Sequence, residues 1–160
     1  MNNARKPVLI LGVGNILYGD DGVGVEVVQE LGGEDAHPDV EYIDGGVGGY
    51  GLISFLEGRK KVVIVDAANM GSVPGDCRLF APEDVELTAC LKPVSLHQTN
   101  ILDVVRLAQE AGVNAEITFI GVQPASAAPG IGLSQELRGK KEFVKAFVRD
   151  YVIHSTTPVQ

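Results

Sequence analysis

Three side chains that can bind a divalent metal ion occur at separate points of the chain. Asp21 lies in a glycine-rich turn, Asp66 directly follows a wholly apolar run, and His97 comes just before a helical pattern. If the apolar runs are parallel strands, all three residues gather along one edge of one sheet. Carboxylate oxygen and neutral imidazole nitrogen suit hard or borderline divalent metals. The sequence therefore predicts a metal-recognising site at that edge.

The glycine-rich turn offers two adjacent acids, Asp20 and Asp21. One carboxylate suffices to cap the helix that follows, because its oxygen can accept from free backbone N–H groups. Two neighbouring acids repel each other, so we expect the second to face a ligand. We assign that role to Asp21, although spacing alone barely separates it from Asp20.

Two further acids, Asp66 and Asp44, follow predicted strands. A carboxylate at the end of an apolar strand is costly to bury unless strand-end N–H groups or a cation satisfy it, and we favour a cation for Asp66. Asp44 precedes Gly45 and Gly46. For Asp44 we favour a turn acid that accepts from the amides of this bend, with metal ligation as the alternative.

The histidine of the predicted site, His97, lies between Ser95 and Gln98, whose spacing is typical of a capping box. This pattern predicts His97 in a first helical turn, where the helix dipole lowers its pKa and keeps the imidazole neutral. A structural histidine is the alternative. His37 and His154 have no pattern of partners, and we assign them no role.

Composition limits the class of protein. The chain has 160 residues, a formal net charge of −8 and 45% hydrophobic residues. The acidic balance argues against nucleic acid as a partner. We expect no membrane insertion and, without a secretory signal at the N-terminus, a cytoplasmic monomer. We expect one domain over residues 1–160 with a frayed tail at 155–160, two reduced thiols at Cys77 and Cys90, and a solvated turn at 59–61.

The pattern of apolar residues predicts alternating strands and helices. Near-continuous apolar runs indicate strands buried on both faces, at 8–13, 62–65 and 117–122, with weaker candidates at 40–43 and 78–80. Helical spacing occurs at 22–31, 52–56, 99–111 and 137–152. This order predicts an α/β fold with one open, mostly parallel twisted sheet of about five strands and helices on both faces. We expect the long loops 81–94 and 123–133 to lie beside the site and to contact or gate a substrate.

Several familiar motifs do not fit. Gly12 and Gly14 begin a dinucleotide-binding pattern, but Leu17 replaces its third glycine, and Asp20 and Asp21 would repel a pyrophosphate. The glycines are not followed by the Lys-Ser or Lys-Thr pair of a P-loop. The zinc-protease pattern H-E-x-x-H and the G-x-S-x-G elbow are also missing from the sequence.

Taken together, four motifs resemble the nickel-iron hydrogenase maturation endopeptidases over nearly the whole chain and in the same order. They are GNILYGDDGVG at 14–24, DGG at 44–46, VDA at 65–67 and HQ at 97–98. The resemblance implies an enzyme that removes a short C-terminal extension from the hydrogenase large-subunit precursor after nickel insertion.

The resemblance also implies the site. Asp21, Asp66 and His97 match the residues that recognise the metal in that family, and the nickel is carried by the substrate rather than bound permanently. The position of Asp21 is Glu in some members. The alternative function is a non-catalytic module that senses or chaperones a metal-loaded hydrogenase subunit, because the same three ligands would serve it.

Overall fold

A computed structural model describes residues 5–87 and 100–156. Its centre is a five-stranded sheet in the order β2-β1-β3-β5-β4. Four strands are parallel and β4 runs antiparallel to β5 at one edge. The strands are β1 Val8–Val13, β2 Val40–Gly46, β3 Lys61–Ala67, β4 Cys77–Phe80 and β5 Glu116–Val122. The predicted α/β class and the mostly parallel sheet are confirmed.

Helices connect the strands and cover both faces of the sheet. They are α1 Val23–Glu34, α2 Ile53–Leu56, α3 Pro82–Leu87, α4 Ile101–Glu110 and α5 Gln135–Thr156, with 3₁₀ turns at Gly19–Gly22 and Gly49–Leu52. None of the helices in the two described stretches is both long and apolar enough to cross a membrane.

Alternate residues of the central strands pack on opposite faces. In β3, Val63 and Val65 belong to the core under α1 and α5, whereas Val62 and Ile64 belong to the core under α2 and α4. Strands buried on both faces need nearly continuous apolar sequence, which is why these runs could be recognised. Because β1, β2, β3 and β5 are parallel, their carboxyl ends lie along one edge of the sheet.

The start of α4 differs from the prediction. The helix begins at Ile101, and the side chain of Asn100 caps it by accepting from the backbone N–H of Leu102 at 3.0 Å. Asn100 is therefore the capping residue of α4, because its side chain reaches a free N–H of the first turn. Ser95 and His97 lie outside the described residues.

Arg59 shows that the prediction of a solvated turn at 59–61 is wrong. Its side chain is buried, donates to the carbonyl oxygens of Phe55 and Lys6, and forms an ion pair of 2.6 Å with Glu41. These partners satisfy a guanidinium that burial would otherwise penalise. Cys77 is a partly buried free thiol, and Cys90 lies outside the described residues.

The C-terminal helix extends further than its apolar pattern indicates. Ser155 and Thr156, which we expected in the frayed tail, belong to the last turn of α5. Their hydroxyls donate to the carbonyl oxygens of Tyr151 and Ile153, at 2.7 and 3.1 Å. Residues 157–160 lie outside the described part of the chain.

Candidate active site

Three glycines bring the start of α1 against the carboxyl ends of β1 and β3. A Cβ atom on Gly24 would lie 2.1 Å from the carbonyl oxygen of Val65, and one on Gly12 would lie 2.4 Å from that of Gly24. Gly14 has a positive φ of 132°, and its Cβ would lie 1.9 Å from the carbonyl oxygen of Asp21. Only glycine permits such approaches between backbones. They set the turn that carries Asp21 close to the residue that precedes Asp66.

Asp21 is a buried carboxylate held by one backbone amide. The side chain is 3% exposed, and its Oδ2 accepts from the N–H of Asn15 at 2.8 Å. Burial raises the pKa of Asp21, and the hydrogen bond from Asn15 acts in the opposite direction. A buried acid with so few donors is well suited to neutralisation by a cation.

Asp66 lies at the end of β3, within the electrostatic influence of Asp21. Burial, and to a smaller extent the negative charge of Asp21, raise the pKa of Asp66 to about 8, against the opposing effect of the Ala67 N–H. Asp66 therefore keeps its proton at neutral pH unless a cation approaches the pair. The structure thus brings together two of the three predicted site residues, and we call Asp21 and Asp66 the acid pair.

Asp20 has a different role from its neighbour. It is fully buried and accepts four hydrogen bonds, all from the segment 125–134. The donors are the N–H groups of Ala125, Ser126 and Ser134 and the hydroxyl of Ser134, at 2.9, 3.0, 2.7 and 2.8 Å. The N-cap of α1 is Gly22, without a side-chain cap. Neither acid therefore caps α1, and Asp20 instead fastens the loop between β5 and α5 to the glycine-rich turn.

The remaining predicted residues lie apart from the acid pair or outside the described chain. Asp44 is exposed at the end of β2, where it accepts from the side-chain amide of Gln29 at 2.8 Å rather than from the amides of the glycine bend. Within the described part of the chain, the imidazole rings of His37 and His154 have only local hydrogen bonds. His97 lies outside the described residues. Within 5–87 and 100–156, no group of three histidine, cysteine, aspartate or glutamate side chains could hold a metal.

Gln123 organises the loop that follows Asp66, and the sequence analysis did not single it out. It is 7% exposed, and its Oε1 accepts from the N–H groups of Met70 and Ser72 at 2.6 and 3.4 Å. Its Nε2 donates to Oδ1 of Asn69 and to the carbonyl of Pro124, at 3.3 and 3.1 Å. A detectable signal was present, because Gln123 directly follows the apolar run of β5, as Asp66 follows that of β3.

Six apolar side chains are exposed on loops that follow β1, β2 and β5. They are Ile16, Leu17, Tyr18, Val47, Tyr50 and Ile131, and their exposed fractions range from 40% to 85%. Because these loops leave the carboxyl ends of parallel strands, the six side chains lie at the same sheet edge as the acid pair. We call this set the apolar rim. Exposed apolar groups gathered near polar ones are typical of a protein or peptide binding site.

A family model described as hydrogenase maturation protease matches residues 25–148 of the chain. The match covers more than half of the sequence. It includes Asp66 and His97 and begins shortly after Asp21. Family membership therefore does not depend on the glycine-rich motif that carries Asp21.

Relatives of known name and solved structure agree with the family model. The chain is 39% identical over 125 residues to the hydrogenase expression/formation protein HupD of Rhodobacter capsulatus, a match that covers 76% of this chain and 60% of HupD. It is 35% identical over 130 residues to the hydrogenase 2 maturation protease of Escherichia coli, covering 79% of each. The structure of the hydrogenase maturating endopeptidase HybD from E. coli superposes with a TM-score of 0.78 at 30% identity, over 93% of each chain.

The matched part spans about three fifths of the length of the HupD relatives. The agreement in fold with HybD extends across nearly all of the chain. With a family model matching more than half of the sequence and relatives above 30% identity, the chain belongs to the hydrogenase maturation protease family.

Proposed function

We propose that this chain is an endopeptidase that removes the C-terminal extension of a nickel-iron hydrogenase large-subunit precursor after nickel insertion. Nickel carried by the precursor is recognised by Asp21, Asp66 and His97. The observation that carries the proposal is the acid pair at the carboxyl edge of the sheet, with Asp21 buried and Asp66 partly buried, in a chain of the maturation protease family.

The acid pair supports recognition of a cation because its two carboxylates disfavour each other's charge. The pKa of Asp66 near 8 means that a docking nickel ion displaces a proton and removes the repulsion from Asp21. A precursor without nickel offers no such compensation. We include His97 as the third ligand because an imidazole nitrogen suits nickel and because the family resemblance assigns it there.

The apolar rim supports a peptide substrate. Apolar side chains around a charged centre can hold an extended polypeptide while the acid pair contacts the metal that it brings. The nickel ion, fixed by the carboxylates, would lie next to the scissile bond. There it can polarise the carbonyl group or activate the water that adds across the bond.

The decisive experiment follows the mass of the precursor. Nickel-loaded large-subunit precursor is incubated with a substoichiometric amount of this protein, and its intact mass and electrophoretic mobility are measured against nickel-free precursor. Loss of a C-terminal fragment from the loaded sample alone is the expected result. A stable complex without mass loss would contradict the proposal and favour the non-catalytic metal-sensing module.

Variants make the assignment of residues testable in the same assay. Asp66→Asn and His97→Ala should each abolish processing. Asp35→Asn is a matched control, because Asp35 follows the far end of α1, about 18 Å along the helix axis from its start, and pairs with Arg149. Full processing of the precursor by Asp66→Asn would contradict the role proposed for the acid pair.

A further inference from the structure

Asp20 joins two loops that are distant in sequence but adjacent at the site. Both of its carboxylate oxygens accept hydrogen bonds, and every donor belongs to the segment 125–134, at least 105 residues away along the chain. The backbone adds two further links, because the N–H of Asp20 donates to the carbonyl of Ser126 at 3.0 Å and that of Gly19 to Gly130 at 2.9 Å. The turn Gly19–Gly22 is thus fastened to this segment.

Burial of the Asp20 carboxylate is costly, and the four hydrogen bonds are what offsets the cost. A charged group removed from water needs several good donors, and Asp20 has them in a fixed arrangement. The carboxylate makes no capping bond to α1. Its hydrogen bonds therefore serve the connection between the turn and the segment, rather than the stability of the helix end.

The other side of the same turn holds Asp21. The carbonyl of Asp21 lies against Gly14, and its carboxylate accepts from the N–H of Asn15. The turn is consequently held between the end of β1 and the segment 125–134. If the hydrogen bonds to the segment 125–134 are lost, only the contacts with the end of β1 hold the turn. The Asp21 peptide then has room to move away from Asp66.

We propose that Asp20 is a positioning residue, which fixes the orientation of Asp21 by fastening the Gly19–Gly22 turn to residues 125–134. It contacts neither nickel nor the scissile bond. This inference rests on the proposed function for its effect on processing. Its effect on the orientation of Asp21 can be measured without any substrate.

The test compares amide hydrogen exchange in the wild type and in Asp20→Asn. The substitution keeps the size of the side chain, but one carboxylate oxygen becomes an NH₂ group, which cannot accept from the donors of residues 125–134. We expect faster exchange at Ala125, Ser126 and Ser134. We also expect it at Asn15, whose backbone N–H donates to the Asp21 carboxylate at 2.8 Å. The Asn15 amide is the decisive probe, because a residue that merely anchors the loop would leave it unchanged. The processing kcat/KM should fall by about 10- to 100-fold, as for other groups that orient metal ligands.

Two controls separate positioning from loss of stability. Val148→Ala removes buried apolar contact from α5 and should lower the melting temperature without changing the Asn15 exchange rate relative to other amides of the turn. Ser134→Ala removes one of the four hydrogen bonds to Asp20, together with the bond that the hydroxyl accepts from the Leu137 N–H at the start of α5. It should change both readouts in the same direction by less, which keeps the test usable if Asp20→Asn does not fold.

Unchanged exchange at Asn15 together with faster exchange at 125–134 would overturn the inference. Absence of cleavage by the wild type contradicts the proposed function alone, because exchange is measured on the free protein.

Discussion

Gly24, in the first turn of α1, lies directly against the carbonyl oxygen of Val65, where a Cβ would approach to 2.1 Å. Val65 is the residue before Asp66, and Gly24 follows Asp21 by three positions. One backbone contact between a helix and a strand therefore sets the separation of the two acids. The spacing of the acid pair is a property of the scaffold rather than of the acids themselves.

Gly24→Ala should destabilise the protein by about 1–3 kcal/mol, because the new methyl group forces α1 away from β3. This loss outweighs the gain in helix propensity, which is at most about 1 kcal/mol. Processing should also slow as Asp21 moves. Gly33→Ala is the matched control in the same helix, since nothing lies within 4 Å of its Cβ position, and it should stabilise the protein slightly. Urea denaturation measures both, and equal stability of Gly24→Ala and wild type would contradict the prediction.

Asp66→Asn should change how stability depends on pH. The pKa of Asp66 is raised to about 8 in the folded protein and lies near 4 in the unfolded chain, so the folded state binds the additional proton between these values. Stability from this group is present below about pH 4 and is lost as the pH rises toward 8. The asparagine variant lacks that loss. Relative to the wild type, its free energy of unfolding should rise by roughly 4 kcal/mol between pH 5 and pH 8. If the free energies of unfolding of the wild type and the variant changed with pH in parallel, a raised pKa of Asp66 would be contradicted.

Asp21→Asn and Asp21→Glu separate charge from hydrogen bonding. An asparagine oxygen can still accept from the N–H of Asn15, so this variant removes the charge and preserves the local contact. We expect its kcat/KM to fall by at least about 100-fold, and we expect Asp21→Glu to retain more activity because it keeps the charge. The pKa of Asp66 should decrease in Asp21→Asn, since the charge of Asp21 is one of the causes that raise it. Carboxyl titration by NMR provides this second measurement, and an unchanged Asp66 pKa would argue against direct influence between the acids.

Gln123→Leu should loosen the loop that follows Asp66. The substitution leaves the partly buried N–H of Met70 without its acceptor at 2.6 Å, which should cost about 1–3 kcal/mol. Gln29→Leu is the control, because Gln29 is exposed and bonds only the exposed Asp44, and its effect should stay within about 0.5 kcal/mol. Chemical denaturation and exchange at the Met70 amide measure the difference. Equal losses in the two variants would mean that Gln123 does not support this loop.

The strands could be recognised from sequence because burial on both faces leaves a local signature. The predicted runs at 8–13, 62–65 and 117–122 consist mostly of Val, Ile, Leu and Phe, and their carboxyl ends showed where Asp21 and Asp66 would meet. The helix α1 was equally visible from its period. The spacing of apolar residues is a local property of the sequence. In these strands and in α1 it agrees with the side of each element that the fold buries.

Contacts between distant segments could not be predicted in this way. Spacing alone barely separated Asp20 from Asp21, and what distinguishes them is the segment 125–134, which reaches only Asp20. Arg59 was interpreted as solvated because its neighbours are charged, whereas its actual partners come from the amino-terminal segment, α2 and β2. In both cases the deciding groups are brought by the fold and leave no trace in the surrounding sequence.

The hydrogen bonds of Asp20 have a consequence for how related proteins can diverge. Three of its four donors are backbone N–H groups, which every residue except proline supplies. The exposed side chains of this segment are therefore free to change over generations without releasing the turn, and Ile131 among them is 85% exposed. A related protein can in this way acquire a different binding surface on this segment while Asp20 and Asp21 keep their positions.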